Sequence, residues 1–459
     1  MREENFLVFG TGLSGAAAAE LLLKEQKHVV LYDGNEKLST EEFRRQHPAL
    51  SQVPVLLGQE LTADRLTEFD VAVLSPGVPA DLPLVEEMRR AGMAVWGEIE
   101  LAYRYGHGRV LAITGTNGKT TTTTLLGEIM KAAFSDVRVV GNIGNPYTRE
   151  ALSTTEESVV VAEISSFQLE TADRFCPAIS AILNITEDHL DRHHTMECYI
   201  EVKELIARRQ TAPGLCVLNY EDQELRRFGQ ALEEKRDGPR VLYFSSSRAL
   251  ARGVYLEGDT IYLGTDKGTE RVCQVQELSI LGKHNYENVM AAVAMAAACG
   301  VSLDVIRQTL FRFQGVEHRI EYVTSKRGVR FYNDSKGTNP DAAIQAIRAM
   351  NWPTLLIGGG YDKQSEYDTW IRAFDGKVKK LILLGQTRED IADTAVRCGF
   401  SEADIILVDS LREAVDACYT NAKNGDAVLL SPACASWGMF DNYEQRGNLF
   451  KEMVKELKE

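Results

Sequence analysis

The residues best suited to chemistry lie between Leu111 and Thr123, LAITGTNGKTTTT, where an apolar strand runs into a glycine-bracketed loop ending in Gly118, Lys119 and Thr120. Gly115 and Gly118 let the backbone turn its N–H groups inward, Lys119 supplies a point charge for β and γ phosphates, and the Thr120 hydroxyl can hold Mg²⁺. The helix that follows adds its positive end. This pattern points to a nucleoside triphosphate site contacted by Gly115, Thr116, Asn117, Gly118, Lys119, Thr120 and Thr121. It departs from the full G-x-x-x-x-G-K-[ST] spacing, because Ile113 stands where the first glycine would be. That departure sets it apart from the standard ATPase families.

A second glycine turn, Gly10-Thr11-Gly12-Leu13-Ser14-Gly15, follows an apolar strand at Asn5 to Phe9 and opens an Ala/Leu-rich helix reaching about Gln26. The next strand, His28 to Tyr32, ends at Asp33. This is a G-x-G-x-x-G in βαβ context with an acidic residue about 20 positions on, the dinucleotide fingerprint. An NAD-dependent dehydrogenase is therefore a rival reading. A hydride-transfer enzyme, however, has no use for the second phosphate loop. The glycines read a diphosphate, which a UDP-sugar also carries.

Other strands end in polar residues, and ligands gather at such ends along one edge of an open parallel sheet. Ser158 to Ile164 contains Glu163, Ala178 to Ile185 runs into Thr186-Glu187-Asp188-His189, and Val139-Val140 runs into Gly141-Asn142-Ile143-Gly144. Glu163 and His189 are expected to meet near the phosphate loop and bind a divalent ion or hold a substrate carboxylate. In TMECYIEVKELIARRQ, Tyr199, Ile200 and Ile206 sit at i−4, i−3 and i+3 from Lys203, which places the lysine on or beside a buried helix face. Burial lowers a lysine's pKa. The neutral amine can take up CO₂ as a carbamate suited to Mg²⁺, whereas the bland alternative is a lysine snorkelling to solvent. Gly282-Lys283-His284-Asn285 opens an Ala-rich helix whose start can face an adenine, or in which Asn285 is a plain cap.

The elements that must position these residues belong to a large α/β chain. Its 459 residues suggest about three domains, and 44% hydrophobic content supplies ordinary cores. Lys and Arg number 51 against 66 Asp and Glu, and the resulting net charge of −15 argues against a general nucleic-acid or anionic-membrane binder. The eight cysteines form no CxxC pair, which reads as reduced, cytosolic usage. No signal peptide and no apolar run of ~18 residues is present, so a cytoplasmic protein is expected. From about Val316 the strand–helix alternation repeats, with polar clusters at Asn333 to Asn339, Gly358 to Lys363 and Ser431 to Ser436.

Taken together and in order, GTGLSG, TGTNGKTTT, EISSFQLE, NITEDHLDRH, HRIE, NDSKGTNP and SPACASWGMFDNYEQRGNLF resemble the Mur ligase family from end to end, and within it the branch that adds D-glutamate. The resemblance implies a Rossmann-like N-terminal domain over residues 1–98, a central P-loop-type ATPase domain with a mostly parallel sheet over 99–315, and a Rossmann-like C-terminal domain over 316–459. The first would bind the UDP part of a substrate through Ser14, Asp33, Ser75 and Gly77, with Asn142 and His189 added from the second. Lys119, His189 and Lys203 would carry the chemistry. Thr120, Glu163, His189 and a carbamylated Lys203 would organise two Mg²⁺ ions. Adenine and ribose would meet Asn285, Arg319 and Asp334, and D-glutamate would meet Thr338, Lys363, Ser436 and Tyr443. The implied activity is ATP-dependent joining of D-glutamate to UDP-N-acetylmuramoyl-L-alanine through an acyl phosphate, in a monomer acting on small molecules. A folylpolyglutamate synthetase-type ligase shares the ATP loop but has no need of the N-terminal glycine turn. Gly438 and Tyr443 depart from the family pattern, which more often has an acidic residue and Phe there.

Overall fold

The computed structural model describes residues 4–59, 61–361 and 365–458. Its strands form three separate sheets, each largely parallel. The first comprises β1 (Asn5–Phe9), β2 (His28–Asp33), β3 (Val55–Leu57), β4 (Val71–Leu74) and β5 (Ala94–Gly97), in the order β3-β2-β1-β4-β5. Apolar runs such as NFLVF and VAVL suit strands covered on both faces, and Phe6, Leu7, Val71 and Ala72 are fully buried. The chain leaves β1 toward β2 and returns on its other side at β4, so the switch point lies at the carboxyl ends of β1 and β4. The turn Gly10–Gly15 and Ser75-Pro76-Gly77 both sit there.

The second sheet comprises β6 (Arg109–Thr114), β7 (Val137–Gly141), β8 (Val159–Glu163), β9 (Ile179–Ile182), β10 (Leu215–Asn219), β11 (Arg240–Ser245), β12 (Gly253–Glu257), β13 (Thr260–Thr265) and β14 (Gly268–Gln274). Its order is β14-β13-β12-β11-β10-β9-β6-β8-β7, which places β6 between β8 and β9 and gathers their carboxyl ends around the phosphate loop. The β12–β13 antiparallel hairpin is a feature that the sequence reading did not anticipate. Its signal was local: Gly258 opens a two-residue turn at φ +57, the conformation such hairpins demand. In the charged stretch 221–238 residues Gln223–Glu233 form a helix with one buried stripe of Leu225, Gly229 and Leu232.

The third sheet comprises β15 (Glu321–Lys326), β16 (Val329–Asn333), β17 (Thr354–Gly358), β18 (Val378–Leu383), β19 (Ile405–Leu407) and β20 (Ala427–Leu430), in the order β15-β16-β20-β17-β18-β19. Only β15 runs antiparallel to its neighbour.

By compactness the chain divides into two units, Met1–Cys273 with Glu287–Thr309, and Gln274–Tyr286 with Leu310–Glu459. The first unit holds the first two sheets. One apolar core joins them, running from Phe6 and Leu31 through Trp96, Ile99 and Tyr147 to Val160 and Tyr199. Two buried carboxylates fix the helix Glu98–Tyr105 within it. Glu100 accepts the N–H groups of Asp173, Arg174 and Phe175 at 2.9 Å each, and Glu98 accepts from Thr148 N and Gln168 Nε2 at 3.2 and 3.1 Å. Burial pushes the Glu98 carboxyl up from the ordinary carboxylate range.

Candidate active site

At the first glycine turn the chain folds back on itself with no room to spare. A Cβ on Gly15 would stand 1.8 Å from the Gly10 carbonyl oxygen, and one on Gly10 would stand 2.6 Å from Ser75 Oγ. Gly12 differs, since a Cβ there would meet nothing within 4 Å. Asp33 closes the turn from β2 by accepting both the N–H and the hydroxyl of Thr11 on one oxygen, at 3.0 and 2.9 Å. Ser14 is half-buried in the first turn of the helix Leu13–Lys24, and Gly77 is exposed. Ser14, Asp33, Ser75 and Gly77 thus belong to one end of one sheet.

At the central loop Gly115 and Gly118 take φ +153 and +87, and Gly118 precedes the helix Lys119–Ala133. A Cβ on Gly118 would lie 2.1 Å from Asn288 Oδ1, so that asparagine backs the turn. A chain of hydrogen bonds from the β9 exit supports the loop. Asn184 O accepts from Thr116 N at 2.9 Å, Asn184 Oδ1 accepts from Asn117 N at 2.8 Å, and Thr186 N donates to Thr116 Oγ1 at 3.0 Å. The Tyr199 hydroxyl lies 3.2 Å from the same Thr116 Oγ1. Lys119 Nζ folds back onto the carbonyls of Gly115 and Thr116, at 2.9 Å each.

Lys203 lies in the helix Met196–Arg208 and is 1% exposed, which excludes the snorkelling alternative. Its Nζ donates to Gly115 O at 2.9 Å and sits 4.6 Å over the Tyr199 ring. Burial, reinforced by the nearby Lys119 charge and opposed by Asp188, pulls its pKa down to about 7. A substantial neutral fraction therefore exists at ordinary pH, the condition for nucleophilic uptake of CO₂. Two lysine side chains thus converge on one carbonyl oxygen of the central loop.

Glu163 ends β8 and is 1% exposed. Its Oε1 accepts from Asn142 Nδ2 at 2.9 Å, while Oε2 is buried without a partner. A buried carboxylate oxygen left open is a donor of the kind Mg²⁺ takes. Among the described residues no three His, Cys, Asp or Glu side chains stand close enough to hold a metal alone. A single open carboxylate oxygen is the kind of share a protein contributes to Mg²⁺, whose shell phosphate and water complete. His189 is half-exposed in the left-handed region at φ +52, packed on Phe167 at 4.9 Å between ring centres.

In the second unit Asp334, at the exit of β16, accepts from Ser431 Oγ at 2.7 Å and from Ile320 N at 3.3 Å. Full burial pushes its pKa up to about 7 against the pull of Ser431 and Arg319. Arg319 itself is exposed. Asn285 lies inside the helix Lys283–Ala298, with Nδ2 on Leu281 O at 2.8 Å, so the plain N-cap alternative is corrected: the helix begins two residues earlier. Thr338 is half-buried, Ser436 is buried, and Tyr443 starts the helix Tyr443–Glu456. Lys363 lies outside the described residues. Gly438 takes φ +84, in the left-handed region that glycine adopts freely. Asn184, Tyr199, Asn288 and buried Arg446 were missed by sequence reasoning. Asn288 was the most findable, being i+3 from Asn285 and so on the same helix face.

An α/β chain of three sheets with a G-T-N-G-K-T loop, a buried low-pKa lysine on that loop's carbonyl and a second glycine turn after an N-terminal strand fits an ATP-dependent ligase class. Models of the "Mur ligase MurD-like, N-terminal domain", "Mur ligase middle domain" and "Mur ligase, glutamate ligase domain" match residues 4–97, 113–296 and 318–434, and the chain belongs to the Mur ligase family. It is 56% identical to the UDP-N-acetylmuramoylalanine--D-glutamate ligase of Lachnoclostridium phytofermentans over 99% of this chain and 98% of that one. The ligase of the same name from Lachnospira eligens is 52% identical, with both chains covered completely. Among solved structures, MurF ligase from Thermotoga maritima in complex with ADP shares the fold at TM-score 0.57 and 17% identity, covering 99% of this chain and 96% of that one. No described helix is long and apolar enough to cross a membrane.

Proposed function

We propose that this chain joins D-glutamate to UDP-N-acetylmuramoyl-L-alanine at the expense of ATP, in the synthesis of peptidoglycan precursors. The convergence of Lys119 and Lys203 on Gly115, with Glu163 and its open oxygen ending the strand paired with β6, is the observation that carries this reading. The names of the full-length relatives supply the substrates. The match of residues 4–97 to a MurD-like domain leaves the dehydrogenase and folylpolyglutamate readings without support.

In the first step the terminal L-alanyl carboxylate oxygen attacks the γ-phosphorus of ATP, the bond to the β-phosphate oxygen breaks, and ADP leaves. Lys119 and the loop amides spread the charge on the transferring group. Bound Mg²⁺ would neutralise phosphate charge, held by Thr120, Glu163, His189 and Lys203 as its carbamate. In the second step the D-glutamate amine attacks the acyl carbon, the tetrahedral intermediate expels inorganic phosphate, and an amide remains. Asn142, whose backbone N–H and side chain both bond to Glu163, steadies the sugar-linked substrate.

Asn285, Arg319 and Asp334 are assigned to adenine and ribose. Thr338, Lys363, Ser436 and Tyr443 are assigned to D-glutamate, whose two carboxylates call for a cation and neutral donors. Phosphate release with UDP-N-acetylmuramoyl-L-alanine against a panel of amino acids tests the reading. D-glutamate should be preferred over L-glutamate, L-alanine and diaminopimelate by more than ~10²-fold. Equal use of L-glutamate or diaminopimelate would refute it.

A further inference from the structure

His193 takes no part in the steps above, yet it packs against the helix that follows Glu163 and the helix that carries Lys203. Its side chain is 2% exposed, with Nε2 3.0 Å from Ser166 Oγ and Nδ1 3.6 Å from Glu170 Oε1. Ser166 begins the short helix Ser166–Leu169, three residues past Glu163. The imidazole is 5.1 Å from the Tyr199 ring, whose hydroxyl meets Thr116 of the phosphate loop, and 5.7 Å from Phe167, on which His189 packs. Beyond Glu170 the network continues outward. Arg192 donates to both Glu170 oxygens at 3.0 and 2.7 Å and to Val78 O at 2.9 Å, just past the Ser75-Pro76-Gly77 turn.

A ring buried only to fill space needs no polar partner. Here the two ring nitrogens face opposite polar groups, which fixes the ring's rotation as well as its place. Nε2 is within hydrogen-bond distance of the Ser166 hydroxyl, and the Glu170 carboxylate faces Nδ1 from the other side of the ring. The Glu163 strand exit and the Thr116 loop are thereby braced against one imidazole.

We propose that His193 is a positioning residue for the ligase reaction, holding Ser166 and Tyr199 so that the Glu163 strand exit and the phosphate loop keep their working separation. The proposal rests on the ligase reading above. It predicts a loss in turnover rather than in binding, because small misplacements of reacting groups are costly in rate.

The test is steady-state kinetics on the full chain. His193→Phe keeps the ring and removes both polar contacts; its kcat should fall about 10-fold or more, with KM for ATP and for D-glutamate changed less than ~3-fold. His193→Gln, whose amide can still accept from Ser166, should recover most of that loss. Ser166→Ala should lower kcat to a similar extent, and the His193→Phe/Ser166→Ala pair should be no slower than His193→Phe alone. A kcat within twofold of wild type in His193→Phe, no recovery in His193→Gln, or additive losses in the pair would overturn the proposal. If His193→Phe does not fold, as judged by its thermal transition, His193→Gln and Ser166→Ala decide alone. A wild type that releases no phosphate with D-glutamate would instead remove the ligase reading on which the proposal stands.

Discussion

The turn at Gly10–Gly15 and the loop at Gly115–Lys119 share a local plan, a parallel strand running through glycines into a helix, yet the charges delivered to them are opposite. At the first, Asp33 reaches over from β2 and occupies the Thr11 amide and hydroxyl. At the second, Lys119 from the following helix and Lys203 from a helix far along the chain both meet Gly115 O. Backbone amides make an anion cradle in either case. What is imported from non-adjacent elements then decides its use. A carboxylate at the first turn suits hydroxyl and ring N–H donors beside a diphosphate, whereas the Lys119 ammonium suits a transferring phosphoryl group and the low-pKa Lys203 amine suits carbamate formation.

The sharpest way to break this contrast is to remove the cation. Lys119→Ala should fold normally and lose at least ~10²-fold in turnover, the scale of one main electrostatic group. Near-normal phosphate release from a stable variant would end the assignment of the loop. Lys203→Ala should be similarly inactive. Carbonate labelled with ¹³C should give a carbamate resonance in the wild type that this variant lacks, and its absence from the wild type would leave Lys203 as a plain amine.

The glycines allow a finer cut. Gly118→Ala must place a Cβ 2.1 Å from Asn288 Oδ1 at φ +87, and should destabilise the chain by about 1–3 kcal/mol. Gly12→Ala meets no atom within 4 Å and should leave the denaturation midpoint nearly unchanged. If the UDP-linked substrate approaches that turn closely, as proposed, the same variant should raise its KM several-fold. Unchanged KM would place the substrate elsewhere; a collapse in stability would contradict the open surroundings of Gly12.

The smallest effects concern pH and compare the two units. The Lys203 pKa falls to about 7 in the fold, so between pH ~7 and the ~10.5 of a free lysine the unfolded chain binds more protons at this site. Wild type should gain stability relative to Lys203→Met as pH rises through that window. Asp334 behaves oppositely. Its pKa rises to about 7, so between pH ~4 and ~7 the folded chain binds more protons, and stability is lost as pH rises. Relative to Asp334→Asn, wild type should weaken by more than ~1 kcal/mol from pH 4.5 to pH 7.5. Urea titrations at paired pH values read both slopes, and slopes of equal sign would refute the pair.

Much of this arrangement was already written in the chain. The G-T-N-G-K-T loop, the glycine turn with Asp33 and the buried parallel strands that lead into them are local patterns, because a phosphate cradle and a buried parallel strand depend on neighbours in sequence; the antiparallel β12–β13 hairpin was not read. The placement of Lys203 on a buried face followed from its i−4, i−3 and i+3 neighbours. Its end point on Gly115 O did not, since no periodicity says which distant carbonyl a buried ammonium will reach. The Glu163 oxygen without a partner, Asn288 behind Gly118 and the His193 brace were likewise settled only by packing. Each depends on which elements the sheet order brings side by side, and that order is fixed by long-range burial of apolar faces. The sequence by itself determined the kinds of groups and the strand ends that carry them; tertiary structure decided which groups meet, and with that their protonation and their geometry.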